Sequence, residues 1–301
     1  MAKVIAIGNH AGGVGKTTTG LNLAYVLASK GYTTLLVDVD PQGELTERVG
    51  LRDKIRYPML ARVLYENDGV PAPISVDWAG VNVDVLPTDI DAMTGIDLSL
   101  WMAEERELRL AYALAELQSN YEFIVLDLPP TVSPMTSAAF YATIPNDSLG
   151  VSEGSGVIIP VNSSGKSRRA IPAVLRSLSF IGKKRNLTIL GLLITMRENN
   201  NLDADEERLI REEFGSLVFE ASIPRLLETK YDDRYQAPLN SYSTNGKSAL
   251  AYARFAGEVE VRSGNSRPYR EVSRKLLAAV YTRNSAPVFK EIDAPEEATN
   301  G

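Results

Sequence analysis

The chain contains no cysteine, which excludes disulfides and thiolate-held metal or iron–sulfur centres. It has no apolar run approaching the ~20 residues that a membrane-spanning helix needs. Its first residues show no basic segment followed by an apolar stretch and a cleavage site. Together these absences lead to the expectation of a cytoplasmic protein without stable membrane association. Internal repeats and low-complexity tracts are also missing. Neither sign of charge dominates: 32 Lys and Arg against 38 Asp and Glu give a net charge of −6. Any binding to nucleic acid must therefore use a local basic patch rather than the field of the whole molecule. What is present is ordinary for a globular protein, with 44% hydrophobic and 23% charged residues in 301 positions. That length suits one large α/β domain or two small ones.

Short, β-branched, nearly continuous apolar runs recur at Val4–Ile7, Thr33–Val39, Val81–Leu86, Phe123–Leu128, Gly156–Val161, Thr188–Thr195 and Val218–Ile223. Such runs read as strands buried on both faces. Helical patterns separate them, including Thr17–Ser29, Glu104–Gln118, Lys166–Ile181 and Ala204–Phe214. Strand–helix alternation predicts an α/β fold, a parallel sheet with helices on both faces. Beyond Ile223 the pattern turns helical, at about Leu226–Tyr235, Gly246–Val261 and Arg267–Thr282, which predicts a C-terminal helical extension. The expected domain is 1–283, followed by a flexible tail at 284–301. Tyr141–Ser155, rich in Gly, Pro and Asn, reads as an unusually long loop, a class that often carries function.

Ligands of such sheets sit at the carboxyl ends of the strands. There the chain places Gly8-Asn9-His10-Ala11-Gly12-Gly13-Val14-Gly15-Lys16-Thr17-Thr18, between an apolar strand and a helix. Glycines let the backbone curl so that amides face anionic oxygens, and a helix N-terminus adds partial positive charge. In a phosphate-binding loop Lys16 reaches the β- and γ-phosphates and the Thr17 hydroxyl meets Mg²⁺. The strict pattern has glycine where this chain has His10, so the loop is a variant.

The variant resembles the loop of the ParA/MinD family of P-loop ATPases (the SIMIBI-type P-loop NTPase fold), written Lys-Gly-Gly-Val-Gly-Lys-Thr. The resemblance implies ATP and Mg²⁺ as cofactors, with Gly12, Gly13, Val14, Gly15, Lys16, Thr17 and Thr18 holding the phosphates. It also implies an ATP-dependent homodimer in which the first lysine of the motif reaches the partner's nucleotide. Here that position is Ala11. Either the alanine was introduced, or the protein belongs to a branch that supplies the cation from elsewhere. ParA-type ATPases that distribute carboxysomes are similar in lacking this lysine and placing one in the C-terminal half. On that reading Lys166 is the substitute. The competing reading makes Lys166 a solvated lysine at a helix start.

Three further motifs follow in the family's order. Asp38-Val39-Asp40-Pro41-Gln42-Gly43 matches its Asp-x-Asp-Pro-Gln-Gly segment, which implies Asp40 beside the attacking water and Asp38 near Mg²⁺. Asp127, closing the run Phe123–Leu128 before Pro129 and Pro130, matches the second metal-side carboxylate. Ile223-Pro224-Arg225 resembles the segment over the adenine, which carries Pro224 and Arg225 as base-side contacts.

From Arg262 to Lys290 seven basic residues face one acid, Glu271. Arg267, Arg270 and Arg274 recur at helical spacing, with Lys275 beside them. A cationic strip of this kind suits phosphate contacts without base reading. Arg176, Lys183, Lys184 and Arg185 form a second cluster. With the resemblance, these point to non-specific double-stranded DNA, hence the nucleoid, and to an adaptor protein that stimulates hydrolysis. The expected function is positioning of an intracellular cargo, carboxysomes first and plasmid or chromosome partition second. A metabolic enzyme of the dethiobiotin synthetase or cobyrinate amidase type is the alternative of another class.

Overall fold

The computed structural model describes residues 1–55, 60–66, 69–89, 93, 95–185, 187–225, 236–243, 245–264 and 288–291. The chain alternates β1 (Lys3–Ile7), α1 (Lys16–Ser29), β2 (Thr34–Asp38), α2 (Glu44–Arg48), α3 (Leu60–Glu66), β3 (Ile74–Trp78) and β4 (Val81–Leu86). It continues through α4 (Ile96–Met102), α5 (Arg109–Ala115), β5 (Phe123–Asp127), α6 (Pro134–Tyr141), β6 (Gly156–Asn162) and α7 (Gly165–Arg185). Then come β7 (Ile189–Arg197), α8 (Asn201–Phe214), β8 (Val218–Pro224), α9 (Leu239–Tyr242), α10 (Lys247–Arg262) and β9 (Val288–Glu291).

The strands form one sheet in the order β8-β7-β6-β1-β5-β2-β4-β3-β9. All pairs from β8 to β4 are parallel. Successive side chains of a strand point to opposite faces. Val4 and Ala6 accordingly pack into one core with α3 to α7, whereas Ile5 and Ile7 pack into another with α1, α9 and α10. Both faces are covered, which is why the strands read as unbroken apolar runs.

All seven expected strands are present, with boundaries within two residues of the expected ones. Two further strands depart from the all-parallel expectation. In β3, Ile74, Val76 and Trp78 are buried between half-buried Ser75 and Asp77. It turns back into β4 through Ala79 and Gly80, both at positive φ, the conformation a tight hairpin requires. The second is β9, which pairs antiparallel with Ile74–Asp77. Those four residues of the expected flexible tail are therefore a sheet edge. The helix expected over Glu104–Gln118 begins only at Arg109, because Glu105 takes φ 50, which no right-handed helix accommodates. In the C-terminal extension α10 is present as expected. The helices expected at Leu226–Tyr235 and Arg267–Thr282 lie outside the described residues, and with them Arg267, Arg270, Arg274 and Lys275.

Tyr141–Ser155 is a compact connection at the sheet end opposite the glycine-rich loop. Ala2 donates to the Gly150 carbonyl at 2.8 Å and Ser152 donates to the Ala2 carbonyl at 2.8 Å. Gly154, at φ 83, lies so close to the backbone after α10 that a Cβ would clash with the Ser263 carbonyl. These contacts hold the segment against the start of β1 and the end of α10.

Candidate functional site: a phosphate cradle

Parallel pairing brings the carboxyl ends of β1, β2, β5, β6 and β7 to one end of the sheet. The loop after β1 is held from its flanks. Asn9 donates through Nδ2 to the Pro160 carbonyl at 2.7 Å and accepts the Ala11 amide at 3.0 Å. On β7, Thr195 donates through Oγ1 to the Val14 carbonyl at 2.9 Å. Gly13 and Gly15 sit at φ 67 and 77, values that favour glycine strongly over any residue with a Cβ. Gly15 precedes the first turn of α1 without any side-chain cap. The first amides of α1 consequently have no intrahelical acceptor and stay available to an anion.

Lys16 is buried, with 7% of its surface exposed. Its Nζ donates to the Ala11 carbonyl at 3.1 Å. Burial lowers the lysine pKa, against the attraction of Asp127, Asp40 and Glu44. His10, at the position where the strict motif has glycine, is likewise lowered, chiefly by burial and in part by Lys16. Its link to the Thr131 backbone opposes that shift and joins the loop to the segment after β5.

The acids converge from two strand ends. Asp38 is fully buried and accepts from Thr46 twice, from the amide at 2.8 Å and the hydroxyl at 2.6 Å, and from the Asp40 amide at 3.2 Å. Burial nevertheless pushes its pKa up to about 7. Asp40, 6% exposed, accepts the Gln42 amide at 2.9 Å. Asp127 is the exceptional group: fully buried, with neither carboxylate oxygen hydrogen-bonded among the described residues. Burial and the neighbouring charge of Asp38 raise its pKa well above the carboxylate range, and the nearby Thr17 hydroxyl offsets this only in part. Gly12, Gly13, Gly15, Lys16, Thr17, Thr18, Asp40 and Glu44 line one cleft with Leu128 and Pro130.

A triphosphate with Mg²⁺ fits this donor set. An unpartnered buried carboxylate such as Asp127 is stabilised by a cation or by a metal-bound water. Among the described residues no three acidic or imidazole side chains form a cage for a metal ion. That suits Mg²⁺, which takes few protein ligands and completes its shell with phosphate and water.

The other predicted residues are distributed as follows. Lys166 is exposed in the first turn of α7, at the same sheet end, with no polar partner among the described residues. Arg225 follows β8, with its amide on the Arg197 carbonyl at 2.9 Å and its guanidinium on Glu198 at 2.5 Å. Pro224, half-buried, precedes it. Sequence reasoning missed Asn9, Thr46, Thr195, Glu44 and Arg48. Asn9 carried a local signal, since an Asn after a strand commonly accepts an amide two residues on, and Glu44 another, through its i,i+4 spacing to Arg48. Thr46, Arg48 and Thr195 act across 8 to 181 residues of chain.

A family profile described as an AAA domain matches residues 2–189. The chromosome partitioning protein ParA of Caulobacter vibrioides is 30% identical over 263 residues, spanning 85% of this chain and 93% of its own. The chain belongs to the ParA family of P-loop ATPases. It is thus an ATP-hydrolysing enzyme. The crystal structure of cobyrinic acid a,c-diamide synthase from Mycobacterium smegmatis, with bound ADP and magnesium, superimposes with a TM-score of 0.70 at 28% identity. That alignment covers 90% of this chain and all of the other. The ATP complex of Cyanothece McdA(D38A) gives a TM-score of 0.72 at 21% identity over 89% and 99% of the two chains, which shows a shared fold. No described helix is long and apolar enough to cross a membrane.

Proposed function

We propose that this chain is a positioning ATPase of the cytoplasm and nucleoid. Two copies close face to face on Mg·ATP, the closed pair holds double-stranded DNA without regard to sequence, and an adaptor protein on the cargo triggers hydrolysis and release. The supporting observation is the pairing of the glycine-rich cradle with exposed Ala11 at its rim and exposed Lys166, without a polar partner among the described residues, at the same sheet end. Alanine cannot neutralise charge that builds up in phosphoryl transfer, so a cation must enter from another element. Within each copy the amides of Gly12–Thr18 and the Lys16 ammonium bind the phosphates. Thr17, Asp38 and Asp127 would hold Mg²⁺ and its waters, and the ion would supply charge neutralisation when bound. Asp40 would orient the attacking water, a positioning role that one carboxylate can fill. Pro224 and Arg225 would flank the base.

Carboxysomes are the first cargo on this reading, because Ala11 departs from the family loop as it does in ATPases that distribute them. A chromosome or plasmid locus is the second, supported by the name of the Caulobacter relative. Light scattering on the whole protein tests the core of the proposal. Mg·ATP should double the mass of the wild type, Mg·ADP should not, and Lys166→Ala should remain monomeric in both. A Lys166→Ala variant that dimerises and hydrolyses normally removes Lys166 from the site. A wild type that stays monomeric and consumes ATP only with a small carboxylic acid supports the metabolic alternative.

A further inference from the structure

The hydroxyl of Thr18 has a partner that lies outside the glycine-rich loop. Arg48, the last residue of α2, donates through Nη1 to Thr18 Oγ1 at 2.7 Å and through Nη2 to Glu44 Oε1 at 2.9 Å. The Arg48 side chain is 16% exposed, whereas Glu44 is 57% exposed at the mouth of the cleft that Thr18 lines. A guanidinium carries donors only, so Thr18 accepts here and its single proton points elsewhere. A threonine within a helix commonly spends that proton on the carbonyl four residues back. For Thr18 that acceptor is Val14, and no such bond is present among the described residues: the Val14 carbonyl receives Thr195 Oγ1 at 2.9 Å instead.

We propose that Arg48 is a positioning residue for nucleotide binding, holding the Thr18 hydroxyl as a donor to a phosphate oxygen. The inference rests on Gly12–Thr18 being the nucleotide site. Accepting from a cation makes the hydroxyl a stronger donor, because linked hydrogen bonds polarise one another. Lys16 serves the terminal phosphates and Thr17 the metal, so Thr18, one residue further along α1, serves phosphates that ATP and ADP share. Arg48 also ties α1 to α2, which begins four residues after Asp40. Glu44 holds the second arm of the guanidinium and fixes its plane.

Calorimetric titration of the whole protein with Mg·ADP and with a non-hydrolysable Mg·ATP analogue tests this. Arg48→Met should weaken both nucleotides by the same factor, about tenfold, the scale of one charge-assisted hydrogen bond. Thr18→Val should give a similar loss. The double variant should be no weaker than the poorer single variant, since both remove one interaction. Glu44→Gln, which retains the accepting oxygen, should stay within about threefold. Losses that multiply in the double variant, a loss confined to the ATP analogue, or unchanged affinity in Arg48→Met each overturn the proposal. Should Arg48→Met fail to fold, Arg48→Lys enters the same cycle and must likewise show no further loss on top of Thr18→Val. Wild-type protein that binds neither nucleotide overturns the assignment of the cradle itself, a result distinct from all of these.

Discussion

The loops after β1 and β2 flank β5 at one end of the sheet, yet they are built in opposite ways. The first is made largely of backbone: two glycines at positive φ and a helix with no side-chain cap, whose first amides lack intrahelical acceptors. The second is made of side chains: Asp38 on Thr46, Asp40 on the Gln42 amide, Thr88 on the Asp38 carbonyl at 2.6 Å and on Thr46 through its amide. Backbone dipoles do not titrate and do not change rotamer, so the amides of the first loop offer a constant positive field. Carboxylates do both, so the second loop can respond to pH, to metal and to the state of the nucleotide. On the proposed function, binding belongs to the first loop and the timing of hydrolysis to the second.

Substitutions in the two loops sharpen or break that division. The largest effect falls on the first. Lys16→Gln removes the one cation among the residues lining the cleft and should reduce phosphate release more than a hundredfold, with nucleotide affinity falling alongside. Asp40→Asn in the second loop should lower turnover about a hundredfold while Mg·ATP affinity stays within about threefold, read by comparing kcat with the dissociation constant. Loss of affinity matching the loss of turnover would erase the distinction.

The smallest effect is a pH dependence that belongs to the second loop. The Asp38 carboxyl is raised from the ordinary value of 3.8 to about 7, and Asp127 moves in the same direction. A carboxyl with a raised folded-state pKa binds its proton more tightly in the folded chain, so its protonation favours folding. That contribution is complete below about pH 4 and disappears as pH rises through about 7. Nucleotide-free protein should consequently melt a few degrees higher at pH 5.5 than at pH 7.5, with a smaller difference in Asp38→Asn. Equal pH slopes in the two proteins contradict the assignment.

The same contrast explains what was legible in the sequence. Backbone-built features announce themselves locally: Gly12-Gly13-Val14-Gly15-Lys16-Thr17 is contiguous, and buried parallel strands are contiguous apolar runs. Partners made by side chains do not, because they join distant positions. Thr195 reaches Val14 across 181 residues and Arg48 reaches Thr18 across 30, with no local pattern to mark either. The β3–β4 hairpin was readable in principle from the alternation Ile74-Ser75-Val76-Asp77-Trp78 and the turn at Ala79-Gly80. A search for continuous apolar runs passes over it. The α6 helix was also signalled, by Ser133 as a cap on the Thr136 amide and Pro134 in the first turn. Asp38, Asp40 and Asp127 were found from their motifs, but that Asp127 alone of the three has no hydrogen-bond partner among the described residues required the packed interior.

The most direct test of the account is retention of the whole protein on a surface coated with double-stranded DNA of arbitrary sequence, with Mg·ATP, with Mg·ADP and without nucleotide. The account predicts retention with Mg·ATP alone, lost steeply as salt rises and absent in Lys16→Gln. Retention that is equal in all three conditions, or absent from all of them while ATP is bound, contradicts it.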